Sequence, residues 1–454
     1  MNFAVYRKNW LGGLQVAAIA AVLFAAGAPA SRAVEADPAV LQAEADSLFR
    51  HMLVKPDDLP AAFRFAEVET RLGDYEAAIG ALERMLFYNK DLPRVRLELG
   101  VLYFRLGSYG TARTYFEGAV SAPGTPDDVK IRVAGFVREI ERRTATSQSA
   151  FFMQLGLRHQ TNANAGPDSF AVRALGFDAT LDSKFGRARD WNAFALASYT
   201  HIYDFENQRG DVWESNVSGY YARQFRLNKL DLGLIEATTG PRLAVGEATG
   251  LSFRPYVLAN DVLLGSNQYF GTVGAGAGFR WRMDNGVTLD PNYEYRARRY
   301  SNSGNYPTAT LQTGDLQIAS LGLAGPTMLE NVTWQSRVSF ADNKSGYRPY
   351  GYRQTGIEFA LPIEFEGPSA FSSRRWTFAP FVSWYQTGYR AVDPLVDPAT
   401  RRRDTESRVG ATLDTRLWGD AGFAINVQYQ KTRSNISNFR THNFSVSFGP
   451  TARF

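Results

Sequence analysis

The chain holds four histidines, His51, His159, His201 and His442, and they are the first place to look for chemistry. None is spaced from another so as to put two ring nitrogens on one metal ion. There is no cysteine, which removes thiolate metal sites, disulfides and a lipidated N-terminal cysteine. A Ser-His-Asn/Asp site of the kind used by outer-membrane phospholipases has its residue types present, but no local motif marks one. Gly271, Gly274, Gly276 and Gly278 lack the dinucleotide-binding spacing and no helix follows them, so they read as small residues in a strand. No phosphate loop or metal box occurs. The expectation is a protein that is not an enzyme and carries no cofactor or metal.

The charges that remain fall into a pattern of two. In 332–340, Val332, Trp334, Val338 and Phe340 alternate with Thr333, Gln335, Arg337 and Ser339. In 408–417, Val409, Ala411, Leu413 and Leu417 alternate with Arg408, Gly410, Thr412, Asp414 and Arg416. A period of two is a strand, with successive side chains on opposite faces. Unpaired charge is too costly for a sheet buried on both sides, so Arg337, Arg408, Asp414 and Arg416 are expected to face a wet lumen. The same alternation runs through 421–430 and, without exception, through the last twelve residues. There Phe444, Val446, Phe448, Pro450, Ala452 and Phe454 form one face, and Asn443, Ser445, Ser447, Gly449, Thr451 and Arg453 the other. A terminal aromatic and a wholly apolar face point to a membrane barrel, with Phe454 as an insertion signal for barrel assembly machinery. Pro450 cannot donate to a sheet ladder and marks a weak point in this closing strand.

Such strands fill 150–454 without a break, well beyond the roughly 100 residues of one sandwich domain. At about 22 residues per strand and connection, the stretch holds about 14 strands. A direct tally gives 15, which is odd; bacterial barrels are even, so one segment between Leu230 and Arg282 is taken as divided in two, with 16 strands as the fallback. Asp284-Asn285-Gly286 reads as a tight hairpin, and Phe185-Gly186-Arg187 and Trp418-Gly419-Asp420 as similar turns. The longer polar loops, Asp204–Gly210, Ser301–Thr308 and Ala391–Arg403, are expected on the extracellular side.

Composition agrees. The chain is 13% aromatic and holds 40 glycines, with a mean hydropathy of -0.27. That value would pass for a soluble protein, because each lipid-facing residue of a barrel is matched by a polar one inside. A formal charge of +5, scattered and reduced by loss of Arg7 and Lys8, gives no case for nucleic acid. Arg7 and Lys8, the apolar run Leu11–Ala26 and Ala28-Pro29-Ala30 (or Ser31-Arg32-Ala33) read as a signal peptide over 1–33; an N-terminal anchor is the alternative. No later run of about 18 apolar residues offers a transmembrane helix.

Residues 34–149 differ in character. Arg71-Leu72-Gly73-Asp74-Tyr75 recurs as Arg105-Leu106-Gly107-Ser108-Tyr109, 34 residues on. At the same spacing Phe65 matches Leu99, Ala66 matches Gly100, Ala78 matches Ala112, Leu82 matches Phe116 and Leu86 matches Val120. This resembles the tetratricopeptide repeat, a helix-turn-helix unit of that period. Leu48 and Met52 before it, and Val133 and Ala134 after it, extend the spacing into single flanking helices. Stacks of this kind present a concave binding surface, and Glu69, Arg96 and Tyr103 fall where side chains would face that groove or else pack within the stack. Thr144–Ser149 is polar and without helical pattern, which sets the boundary to the barrel.

Three further segments carry a resemblance to a family: Gln160-Thr161-Asn162-Ala163-Asn164 after the first strand, Arg402-Arg403-Asp404-Thr405 before the third-last, and Tyr429-Gln430-Lys431-Thr432-Arg433-Ser434-Asn435 before the final hairpin. With the repeat domain in front, the layout resembles the surface lipoprotein assembly modifiers (Slam) of Gram-negative bacteria. The resemblance implies an outer-membrane translocator for lipoproteins or related small secreted proteins, its helices meeting the client in the periplasm and its barrel, set in outer-membrane lipid, providing the route. A polysaccharide-export porin and a passive porin with an interaction domain are the other readings of the same layout.

Overall fold

The structure, a computed structural model, describes residues 38–122, 124–207, 209–246, 250–368 and 375–454. The expected signal peptide lies outside the described residues. The chain divides between Thr146 and Ser147 into two compact units.

The first unit is helical: α1 (Pro38–Val54), α2 (Leu59–Leu72), α3 (Tyr75–Tyr88), α4 (Pro93–Arg105), α5 (Tyr109–Ser121) and α6 (Asp127–Thr144). The repeat sets its turns. Gly73 and Gly107 take φ of +87° and +76°, a left-handed conformation that a Cβ resists. Asp74 then caps α3, accepting from the Ala77 N–H at 2.9 Å, and Ser108 stands at the same place before α5. Small residues let the paired helices close up. A Cβ on Gly100 would sit 2.5 Å from the Phe116 ring, and Ala78 and Ala112 are fully buried. One apolar core joins α1 to α4 through Phe65, Leu82 and Leu99; a second joins α4 to α6 through Leu97, Phe116 and Val133. α1 and α6 therefore close the two ends of a stack of two helical hairpins.

The second unit is a closed antiparallel barrel of fourteen strands. They are β1 (Ser147–Gln160), β2 (Asp190–Asp204), β3 (Val212–Gln224), β4 (Leu232–Ala244) and β5 (Leu251–Leu264). Then follow β6 (Asn267–Arg282), β7 (Thr288–Tyr300), β8 (Gly314–Pro326) and β9 (Thr333–Asn343). β10 is written in two pieces, Tyr352–Ala360 and Ile363–Glu366, both paired with β11 (Arg375–Tyr389). β12 (Arg403–Trp418), β13 (Ala421–Ser434) and β14 (Thr441–Arg453) complete the circuit, and β14 pairs back onto β1. The interrupted strand is thus β10, broken at Leu361-Pro362, where proline cannot donate. The interval between Leu230 and Arg282 holds three whole strands.

The outward face is apolar and much of the inward face polar, the reverse of a water-soluble sheet, with β5 the exception in turning Tyr256, Leu258, Val262 and Leu264 inward. Outward residues such as Ile235, Val257 and Val409 are 55%, 59% and 55% exposed, whereas inward Asn192, Thr272 and Thr451 are 0%, 4% and 3% exposed. Apolar side chains on the outside and polar ones within are the arrangement of a barrel set in lipid. Trp213, Trp281, Trp334, Trp376 and Trp418 all lie within two residues of the same end of their strands, forming an aromatic girdle at the rim that carries both ends of the barrel sequence.

Two expectations about connections are corrected by the strand order. The Phe205–Asp211 connection lies at the rim of the chain ends, opposite the connections over 301–313 and 390–402. Polarity reports water and not which rim, and the rim follows only from counting strands. Phe185-Gly186-Arg187 is not a turn between paired strands. It belongs to the 161–189 connection, which also folds a small hairpin of Ala171–Ala174 with Phe177–Thr180. Asp284-Asn285-Gly286 does turn β6 into β7, with Gly286 at φ +79° and its N–H bonded to the Met283 carbonyl at 3.0 Å.

Candidate functional site: the closing seam and the lumen

The circuit closes where β14 meets β1, and its ladder is interrupted, as are those of β4 with β5 at Gly240–Arg242 and of β6 with β7 at Phe279–Arg280. Seven residue pairs join β1 to β14, against fourteen along β1's other edge with β2. The register is constant, Met153 opposite Ala452 and Leu157 opposite Phe448, but pairing lapses between them, at Leu155 and Gly156. The cause is chemical. Phe151 and Phe454 exchange both backbone hydrogen bonds at 2.9 Å, so alternate residues from Phe151 onward occupy the hydrogen-bonded positions of the ladder. Leu155 is one of these, and its partner is Pro450, which has no N–H to give. Beside the gap the strands crowd together: a Cβ on Gly449 would lie 1.9 Å from the Leu155 carbonyl oxygen.

Both ends of this seam are clamped. At one, the Phe151 and Phe454 rings stack at 6.1 Å. At the other, Asn162 donates twice: its N–H to Asn443 Oδ1 at 2.9 Å and its Nδ2 to the His442 carbonyl at 3.1 Å. At the same rim but between β12 and β13, Asn435 Nδ2 donates to the Arg401 carbonyl at 2.9 Å, and the Arg403 N–H donates to Asn435 Oδ1 at 2.8 Å. Arg173, in the hairpin of the 161–189 connection, is bonded both ways to Asn438 before β14, at 2.7 and 2.8 Å, and His442 pairs with Asp168 at 2.7 Å. The three segments singled out in the sequence therefore lie at the same rim, at the end of β1, the start of β12 and the end of β13, and of them only 160–164 borders the seam.

The lumen is lined with linked charges. Glu214 takes Arg242 at 2.9 Å and Arg254 at 3.0 Å. Arg296 bridges Glu236 and Glu294, each at 2.7 Å, and the Tyr256 hydroxyl donates to Glu294 at 2.7 Å. Tyr256 reaches from β5 to β7 across β6, and Gly276 is what it crosses: a Cβ there would lie 2.4 Å from the ring. Gly276 is the floor for this tyrosine. Of the residues expected in the lumen, Arg337 pairs in register with inward Gly322 and Glu358. Arg408 donates to Glu406 at 2.6 Å; Asp414 is ion-paired with Arg453; Arg416 pairs with Gly422 beside the bulge at Arg416/Trp418.

In the helical unit, Glu69, Arg96 and Tyr103 share no hydrogen bond or ion pair with one another among the described residues, though Arg96 and Tyr103 both neighbour Tyr115. Glu69 is buried in α2, and burial, then Asp74 and Asp46, hold its carboxyl above the usual range. Arg96 donates to the Gly118 and Lys90 carbonyls at 3.0 and 3.1 Å. Tyr103 stacks on Tyr115 at 5.4 Å, and both hydroxyls donate to Glu83, at 3.0 and 2.9 Å. Burial and that carboxylate push Tyr115 up to about 12. Glu83 is the hub that sequence reading missed; its signal is visible only once α3, α4 and α5 pack.

The histidines stay apart. His51 bonds Asp58 at 2.8 Å, and His159 packs on Trp191 at 5.0 Å. Ser147 and His201 meet at 2.8 Å on the outward face. Among the described residues no carboxylate or amide bonds the His201 ring, so the orienting third member of a hydrolytic triad is missing there.

No protein-family model and no curated protein matches the chain. Among solved structures, the helices are similar to the Yersinia enterocolitica type III secretion translocator chaperone SycD, at 13% identity and TM-score 0.22, covering 24% of this chain and 83% of that one. The chain is also similar to a bacterial polysaccharide outer membrane secretin at 10% identity and TM-score 0.32, over 66% of this chain and 98% of that one. Acinetobacter baumannii OccAB4 matches at 9% identity and TM-score 0.34, over 69% and 100%. Scores this low add nothing to the strand pairing and the repeat described above. Those define the class on their own: an outer-membrane-type β-barrel preceded by a tetratricopeptide-like helical domain.

Proposed function

We propose that this protein is an outer-membrane translocator that carries lipoproteins or related small proteins to the cell surface. The helical domain lies in the periplasm and engages the client, and the barrel supplies the route. The carrying observation is the β14–β1 seam. It is clamped at both rims, crowded at Gly449 and lacks the Pro450 hydrogen bond in the middle. A ladder held at its ends and broken between them loses fewer backbone bonds on opening than a continuous ladder of its length, which makes this seam a route for lateral opening. Such a route transfers no bonds and requires no cofactor. The layout of a helical repeat domain in front of a barrel supports the same reading.

The charged lumen favours a second reading, a porin for polar or polysaccharide solutes, since rows such as Glu214, Arg242 and Arg254 suit hydrated cargo. Co-expression with candidate client lipoproteins and protease shaving of intact cells separates the two. Surface exposure of a client that depends on this chain supports translocation. Steady conductance in planar bilayers with no client dependence supports the porin.

A further inference from the structure

On the outer wall of the barrel, at the rim away from the chain ends, five arginines surround one cleft. Arg348 lies between β9 and β10, Arg353 near the start of β10, Arg390 just past β11, and Arg401 and Arg403 at the start of β12. Asp342 pairs with Arg390 and lies 3.6 Å from Arg353. Arg348, Arg401 and Arg403 have no side-chain hydrogen bond or ion pair among the described residues. Thr355 and Gln386 add hydrogen-bonding groups, and Phe340 supplies an apolar wall. So concentrated a cation cluster, answered by one carboxylate, leaves a strongly positive cleft.

What lies beneath it on the same outward rows identifies the ligand. From Arg353 the row passes through Thr355 to Ile357 and Phe359; from Gln386 it passes to Trp384 and Val382; from Arg403 it reaches Val409. Each row turns from basic or polar to apolar within about 13–20 Å. Cations stacked over an exposed apolar wall match the layering of a lipid, phosphate above acyl chain. A soluble polyanion has no use for the wall.

We propose that this cleft binds the phosphate groups of a lipid in the leaflet at that rim, the acyl chains lying along Phe340, Ile357 and Trp384. Guanidinium groups suit this task, because their planar donors meet phosphate oxygens in pairs. The inference rests on the barrel spanning a membrane.

The full chain is reconstituted in phosphatidylcholine nanodiscs doped with diphosphoryl lipid A, and retained lipid is read by native mass spectrometry. Wild type should retain that lipid about tenfold better than Arg353→Gln/Arg403→Gln or Arg348→Gln/Arg401→Gln, while Arg353→Lys/Arg403→Lys keeps part of the difference. Retention of dephosphorylated lipid A equal to that of the phosphorylated form overturns the site. So does occupancy by inorganic phosphate alone with no gain from the lipid. Heat-modifiable gel migration separates the premises: a shifted band without phosphate-dependent retention removes the lipid site alone, and no shifted band in wild type removes the membrane reading with it.

Discussion

At the residue scale, glycine and proline do the specifying. Gly276 leaves room for Tyr256 to reach Glu294, so Gly276→Val forces the ring off its hydrogen bonds. Overpacking of this kind costs about 1–3 kcal/mol. A lower urea midpoint for loss of the heat-modifiable band is expected, and Tyr256→Ala in the same chain should relieve part of the clash; an unchanged midpoint would show that the lumen floor tolerates bulk. Glu69 has its own signature. Burial raises its folded pKa above the unfolded one, so its favourable contribution is present at acid pH and is lost as pH rises through the raised value. Helical melting of the full chain should therefore occur at higher temperature just below that window than above it. Glu69→Gln should flatten the dependence, and a slope that survives the substitution would assign it to another group.

At the scale of elements, the α2–α3 and α4–α5 hairpins and the fourteen strands obey opposite rules from one chain. The helical repeat was legible because Gly73 and Gly107 must turn and Gly100 must stay small, constraints that recur with the period itself. The strands were legible because lipid and lumen demand opposite side chains at every second residue. The lumen networks were not: Arg296 and Glu236 lie sixty residues apart in sequence and meet only after the four strands β4 to β7 register. Nor was the rim of the 205–211 connection, which depends on strand parity, or the hairpin over 171–180, whose strands are four residues each. Pro450, by contrast, was marked by its chemistry, and the ladder gap lies opposite it. Pro450→Thr restores a donor facing the Leu155 carbonyl, a gain of about 1 kcal/mol. The barrel should then resist heat to a higher temperature and release client more slowly; equal rates would detach the gap from delivery.

At the scale of the whole molecule, closure depends on the last residue. Phe454 contributes two backbone hydrogen bonds and a stacked ring against Phe151. Its deletion should lower the amount of folded barrel recovered from outer membranes, while unaltered levels would deny it a role in assembly. The absence of cysteine permits the most direct test of the translocation route, because an introduced pair has no competitor. Gln154 and Thr451 face each other across the seam, whereas Asn216 and Thr238 pair on a continuous ladder between β3 and β4. Gln154→Cys with Thr451→Cys, oxidised in cells co-expressing a client lipoprotein, should abolish protease-accessible client at the surface. Reductant should restore it, and Asn216→Cys with Thr238→Cys should leave delivery intact. Full client delivery through a barrel whose seam is quantitatively cross-linked would contradict the account.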